Sequence, residues 1–413
     1  MSSATTARTP VQAPARQPRD PAVSGRLFLV LIAVCTAVTA ANIYLAGPLL
    51  PLIAHDFGST PSAVAWIASV AQFGYATGLL FFAPLGDRVN RRPLVAALSL
   101  ATTAALLAGA TASGTAALAA AVFVAAAATV IPQLLVPLVA ERAPAHRRAR
   151  HVAAVIAGLF TGIVAARVLG SLVGQAYGWR VVFVGSAGLT LVLGLATALA
   201  LPSEKRMGVP PTPFGQWGSA GALFSGIAAL PGLVRTSPDL WRACLRQAGM
   251  FGAWSALWTS LALLLTGESY GLSTATAGLF GLFGLTASAV APLAGGLVDR
   301  FGAAKVVRSA YLLAAVSVPL FWLGGQVLWA LFAAATAIHA ALVASHVANQ
   351  TLALTTTSTP ATANTAYVVA GFAGGALASA LAGTAFSHWG WGGVCAVAGL
   401  WLVLGWVTTA ARR

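Results

Sequence analysis

Ala83-Pro84-Leu85-Gly86-Asp87-Arg88-Val89-Asn90-Arg91-Arg92-Pro93 is a short charged island between two long apolar runs. A weaker version stands in the other half of the chain: Gly295-Gly296-Leu297-Val298-Asp299-Arg300-Phe301-Gly302-Ala303-Ala304-Lys305. Each island closes one apolar run and opens the next. An Asp followed at once by Arg suits the water interface at the end of a membrane helix. The carboxylate can cap the N-terminus of a neighbouring helix, and the arginines can lie among the headgroups. Taken singly, such an island is an ordinary basic loop. Two copies at matching places form an internal repeat, which is a mark of transporters.

The composition agrees. Of 413 residues, 58% are hydrophobic and only 8% charged, with a mean hydropathy of +0.85. That excludes a soluble domain. A net charge of +15 raises nucleic acid as a partner, but the basic residues sit in breaks between apolar runs, not on one polar face. No nucleic-acid partner is expected. Cys35, Cys244 and Cys395 lie far apart and offer neither a disulfide framework nor metal-ligand spacing. There is no G-x-x-x-x-G-K-[ST] loop, no His-Glu-x-x-His helix and no interfacial carboxylate pair. No cofactor, metal, ATP drive or enzymatic activity is therefore expected. A passive channel would want a pore lined by repeated like groups, which the sequence also lacks. The Ala- and Gly-rich bias, with Lys205 and Lys305 as the only lysines, points to a GC-rich bacterial genome.

Twelve runs of roughly 20 residues are long enough to cross a bilayer core. They are Leu27–Leu50, Val64–Pro84, Pro93–Ala112, Thr115–Val139, Val152–Tyr177, Val181–Leu201, Cys244–Thr266, Thr276–Val298, Ala303–Gly324, Val327–Ala348, Ala363–Phe386 and Val394–Ala411. None alternates with period two, so helices are expected and a barrel is not. Residues 1–25 read as a disordered cytoplasmic tail, with a secretory signal as the rival reading. Residues 26–201 then form a first six-helix bundle and 242–413 a second. The proline-rich stretch 202–241 is a cytoplasmic linker, whose apolar middle Phe214–Leu233 suits an interfacial helix. A half-helix dipping into the membrane is the alternative there.

Arginine clusters fall in alternate loops: the tail, Arg88–Arg92, Arg142–Arg150, Lys205–Arg246, Arg300–Arg308 and Arg412–Arg413. By the positive-inside rule both termini are cytoplasmic, in the cell membrane. Arg167 and Arg180 break the pattern. Arg180 stands in Gly178-Trp179-Arg180, where aromatic and basic residues suit an outer interface.

The islands resemble the loop between the second and third helices of major facilitator superfamily transporters, roughly G-x-L-x-D-R-x-G-R-R. Leu85, Asp87, Arg88, Arg91 and Arg92 match, while Ala83 and Asn90 replace the two glycines. In the second copy Gly295, Leu297, Asp299, Arg300 and Gly302 match, and the basic pair is reduced to Lys305. The stretches Ala41–Ala54 and Ala344–Thr351, with Asn364, Tyr367 and Phe372–Gly375, are similar to a bacterial branch near the drug–proton antiporters. The resemblance implies twelve transmembrane helices in two pseudo-symmetric six-helix bundles around a cavity, an all-α membrane protein. It also implies that Asp87, Arg88, Arg91, Arg92, Asp299 and Arg300 act as gating loops. The family's antiporters carry a glycine-rich motif in the fifth span, which here lacks its Gly-Pro pair.

Small residues four apart, Gly158, Gly162, Ala166, Gly170 and Gly174, form a stripe on that span. Gly371, Gly374, Gly375, Ala378 and Ala382 form another on the eleventh. Both are read as packing seams, of value where two halves rock. Arg167 lies mid-span, where an arginine costs roughly 2.5–3.5 kcal/mol on insertion scales. It either meets an anionic substrate group or gating partner, or pairs internally. No Asp or Glu lies within a span, so His339 and His346, seven apart on one face, are the proton-carrying candidates. An interhelical hydrogen-bond network is the rival role. Asn42, Tyr44, Gln72, Gln133, Trp254, Trp258, Asn349 and Tyr367 complete a candidate aromatic, weakly polar pathway, each also explicable as packing. The expected function is proton-coupled efflux of a small, mainly apolar organic compound by a monomer. Uptake of a metabolite or organic anion is the alternative.

Overall fold

The computed structural model describes residues 25–87, 89–143, 148–201, 232, 234–355 and 360–410. The expected tail, apart from Gly25, lies outside them. So do most of the expected linker and its apolar middle. Every regular element among the described residues is a helix. Eleven helices are long and apolar enough to cross a membrane, and the last, Ala363–Thr409, is 47 residues long. At ~1.5 Å per residue it is about twice the length one crossing needs. It breaks at Gly390 (φ 59°, ψ −151°), so the described residues hold twelve passes.

The passes are α1 (Arg26–Ala41), α2 (Trp66–Phe82), α3 (Arg91–Ala110), α4 (Thr115–Ala128), α5 (Arg148–Tyr177) and α6 (Trp179–Ala200). The second bundle follows with α7 (Pro238–Thr266), α8 (Leu285–Phe301), α9 (Ala303–Leu323), α10 (Leu328–Thr355), α11 (residues 360–389) and α12 (residues 391–410). Three expected spans are interrupted. After α1 the chain passes through 3₁₀ turns at Asn42–Tyr44 and Gly47–Leu49 before a helix at Leu50–Asp56. Pro48 and Pro51 account for this, since each lacks an N–H and crowds the carbonyl four residues back. Pro132 opens a new segment, Ile131–Arg142, after α4. Ahead of α8 come Thr274–Gly278 and a 3₁₀ stretch, Leu279–Gly284, with Gly278, Gly281 and Gly284 three apart.

The internal repeat is wider than the charged islands. Gly58 (φ 59°) and Gly271 (φ 58°) turn the chain after the first helix of each bundle. Thr60 and Ser273 then cap the next helical turn, accepting from the N–H groups of Ala63 and Thr276 at 3.3 and 3.2 Å. Gly178 (φ 88°) and Gly390 (φ 59°) turn the chain before the last helix of each bundle, at a left-handed φ that a side chain would strain. Each glycine is followed by a buried tryptophan, Trp179 or Trp391, whose indole N–H is bonded to Asp56 or to the Phe321 carbonyl. These pairs are 212 or 213 residues apart (87 to 299, 178 to 390, 58 to 271), the spacing of one bundle to the next.

The glycine stripes mainly bind helices inside each bundle, although Gly375 of the second stripe also faces Gln72 of the first bundle. A Cβ on Gly158 or Gly162 would lie 2.4 or 1.9 Å from the carbonyl oxygens of Ala33 or Ala37 on α1. A Cβ on Gly374 would lie 2.7 Å from Ala248 on α7. Thus α5 seals to α1 as α11 seals to α7. The bundles meet through α2 with α11 and α5 with the broken start of α8. Gly383 faces Ala65, Phe372 packs on Tyr75 at 4.6 Å, and Gly278 and Gly281 lie on Ser171 and Arg167. These contacts run from mid-depth to the end away from the charged islands.

Candidate functional site

A narrow cavity of about 60 Å³ lies where the bundles meet. Its walls are largely the two interrupted segments: Tyr44 and Pro48 after α1, and Gly278 and Gly281 ahead of α8. Non-helical backbone at membrane depth is tolerated only where protein buries it or where it lines a cavity. Gln72 (α2), Arg167 (α5), Trp258 and Thr259 (α7) supply the rest of its polar lining. At ~10–15 Å³ per water, the cavity holds a few waters or one small polar group.

Among the described residues Arg167 is the cavity's one charged side chain, and it is only 6% exposed. Three rings surround its guanidinium: Tyr44, Trp254 and Trp258, with centroids 5.3, 5.1 and 4.7 Å from Cζ. Such contacts are worth roughly 0.5–2 kcal/mol each when desolvated, which offsets part of the insertion cost. Rings can accept only weakly from in-plane N–H groups. Arg167 Nη1 is buried and has no hydrogen-bond partner among the described residues, and no carboxylate pairs with the group there. At Nη1, the internal pairing with a backbone carbonyl or polar side chain, its alternative role, is not present among the described residues.

His339 stands behind the rings. The Trp254 indole N–H donates to its Nε2 at 3.2 Å, and its Nδ1 lies 2.8 Å from the Ala335 carbonyl. Both nitrogens are engaged, which suits the neutral tautomer protonated at Nδ1. The ring also meets Trp258 edge-on at 4.4 Å. His339 thus orients the two tryptophans against Arg167.

Gln72 bridges the bundles. Its Nε2 donates to Ser255 Oγ at 2.6 Å and reaches Ser379 Oγ at 3.2 Å. Both serines belong to the second bundle, and neither was singled out from the sequence. A lone serine in an Ala-rich helix looks the same whether it packs or bonds. Gln133 donates to the Tyr75 hydroxyl at 3.2 Å.

The remaining candidates separate. Asn42 belongs to the first bundle's core. It donates to Thr129 and Thr190 at 3.3 and 3.1 Å and accepts from Ser186 at 2.6 Å, and it does not line the cavity. Tyr367, His346 and Asn349 form a second polar group toward the charged-island end. The Tyr367 hydroxyl donates to Gln247 Oε1 at 2.6 Å, with His346 Nδ1 at 3.4 Å. Asn349 donates to the Ala243 carbonyl at 2.8 Å. Arg246, which the charge pattern assigned to the linker, is a buried residue of α7, because that helix begins at Pro238.

In the first island, Arg91 Nε donates to the Gly86 carbonyl at 2.8 Å, and the Asn90 side chain caps α3 through the Arg92 N–H at 2.9 Å. Asn90 therefore does a capping job in place of the family's glycine. Arg88 and the Asp87 side chain lie outside the described residues. Asp299 and Arg300 are exposed in the last turn of α8. At the opposite end Asp56 pairs with Arg180, whose hydrogen bond holds the carboxyl below its usual range.

Two pseudo-symmetric six-helix bundles, with interrupted helices meeting at a central cavity, define a polytopic membrane transporter. The chain belongs to the Major Facilitator Superfamily, whose sequence model matches residues 32–280. This is a family of transporters, not enzymes. A probable transporter of Streptomyces coelicolor is 77% identical over 415 residues, covering 100% of this chain and 94% of that one. The uncharacterized transporter YgaY of Escherichia coli O157:H7 is 32% identical over 372 residues, covering 89% of this chain and 91% of its own. The crystal structure of the nucleoside transporter NupG superposes with a TM-score of 0.73 at 12% identity, over 94% of this chain and 100% of that one. At that identity the likeness is one of fold.

Proposed function

We propose that the protein is a monomeric secondary active transporter of the cell membrane. It moves a small, mainly apolar organic compound outward by alternating access, driven by protons. The observation that carries this reading is the placement of the broken segments of α1 and α8 at one cavity between the bundles. Discontinuous helices facing each other at mid-depth are how carriers build a site that either side can reach. Bundles 26–201 and 242–413 are the rocking units, and 202–241 joins them. Both termini and both charged islands face the cytoplasm, as the arginine distribution supports. Aromatic lining suits an apolar cargo.

Asp239 and Asp299 lie only in the end turns of α7 and α8, and His339 is held by two partners. His346, with only a long contact to Tyr367, is the better-placed proton carrier. The test compares accumulation of candidate compounds in cells with and without the protein, with and without an uncoupler. Lower accumulation that the uncoupler reverses supports the reading. Uncoupler-dependent uptake would assign import instead. Labelling single cysteines placed at Asn90 and Lys305 tests orientation. Reaction of the two from opposite faces of the membrane would remove the two-bundle hinge.

A further inference from the structure

Among the described residues, the cavity's one cation is the group that the fold leaves unanswered. Arg167 is more than nine-tenths buried and lines the cavity, and its Nη1 has no hydrogen-bond partner among the described residues. The Tyr44, Trp254 and Trp258 rings stand around its guanidinium, with centroids 5.3, 5.1 and 4.7 Å from Cζ. A guanidinium donates in its plane and a ring accepts an N–H only weakly, so the unpartnered Nη1 is left for a stronger acceptor. A carboxylate matches a guanidinium edge with two parallel acceptors.

We infer that the compound carried is a small organic monoanion, whose carboxylate binds the edge of Arg167 while its apolar or aromatic body lies along the ring-lined wall. This rests on the carrier reading and names the cargo's class. One cation, with no second charge among the described lining residues, matches a single negative charge, not a phosphate dianion. The apolar remainder of the lining, including Ile43, Phe280 and Leu261, matches a body that chloride lacks. A volume of about 60 Å³ fits a carboxylate head as the part that seats deepest in this state.

The site is shared by both bundles, with Tyr44 and Arg167 from the first and the two tryptophans from the second. The anion is thus held where the two halves touch. His339 is a positioning residue, acting through Trp254.

The test uses the full chain in nanodiscs and radiolabelled phenylacetate, with phenylacetamide as the matched neutral competitor. Phenylacetate is expected to bind and to be displaced by other small carboxylates, and not by the amide, chloride or phosphate. Arg167→Gln should weaken binding at least tenfold. Arg167→Lys should fall between, because an ammonium keeps the charge and loses the fork. Both variants should keep the thermal unfolding profile of the parent. The competition arm needs no mutant, so it stands even if a variant fails to fold. Displacement by the amide as readily as by carboxylates overturns the assignment, as does displacement by chloride or phosphate, or failure of phenylacetate to bind. Proteoliposomes separate the two readings. Movement of neutral compounds alone keeps the carrier and removes the anion site. Binding of phenylacetate with no movement of any compound keeps the anion site and removes the carrier.

Discussion

The Trp258 ring lies 4.7 Å from the Arg167 guanidinium carbon, across the boundary between the two bundles. The arginine comes from α5 and the ring from α7, so the contact exists only while the halves are together at this depth. Opening the cavity on this side would return a buried cation to water and strip the ring from it. This makes the pair a natural sensor of which state the carrier occupies.

Trp258→Ala should therefore lower transport about tenfold or more, while Trp258→Phe keeps a cation–π face and most of the activity. Initial rates in vesicles, normalised to protein level, check this. Equal rates for both variants would show that the ring only fills space.

Gly281→Ala and Gly278→Ala should block the approach of α8 to α5. A Cβ at 281 would stand 2.7 Å from the Arg167 Cβ, and one at 278 would stand 2.3 Å from the Ser171 side chain. Gly188→Ala is the control, because a Cβ there meets nothing within 4 Å. Transport should drop by about tenfold in the first two, at normal expression, and stay unchanged in the third.

Gln72→Leu removes the polar bridge to Ser255 and Ser379. Each lost bond is worth about 1 kcal/mol net, more where a hydroxyl is left buried and unpaired. The closed state on this side should lose population. Spin labels at Ser62 and Ser387, at the end away from the charged islands, should show a longer mean distance in the variant. An unchanged distance distribution would mean that the bridge does not bias the equilibrium.

Asp87→Ala should leave expression near normal and reduce export, if the islands work as switch loops. The measurement is efflux rate against surface level.

The Asp56–Arg180 pair makes a pH prediction outside the membrane. Arg180's hydrogen bond lowers the Asp56 carboxyl, so its stabilisation is present above the ordinary carboxylate value of about 3.9 and is lost as pH falls through the lowered one. Both side chains are about 40% exposed, so the pair contributes about 1 kcal/mol or less. Asp56→Asn should lower Tm slightly at pH 7, with the gap closing toward pH 3.

The number of passes, their helical nature and the duplicated islands were all legible before any coordinates. Hydropathy and charge are properties of consecutive residues, and a bilayer forces a run of that length to be helical. The second repeat, Gly178-Trp179 and Gly390-Trp391, was legible in principle as two Gly-Trp pairs at one spacing. The helix breaks were half-visible in Pro48, Pro51 and the glycines near 280, yet the apolar run masked them. The charge pattern counted Arg246 with the linker's basic run although the apolar run from Cys244 already held it, and the helix in fact begins earlier, at Pro238, in polar sequence.

The sequence by itself determined that this chain crosses a membrane twelve times in two related halves, because local hydropathy alone decides that in lipid. Only the tertiary structure decided that Tyr44, Arg167, Trp254, Trp258 and His339 share one site while Asn42 and Asn349 belong to others. That grouping depends on which helix faces meet across two bundles, and the glycine contacts that bring those faces together join residues far apart along the chain.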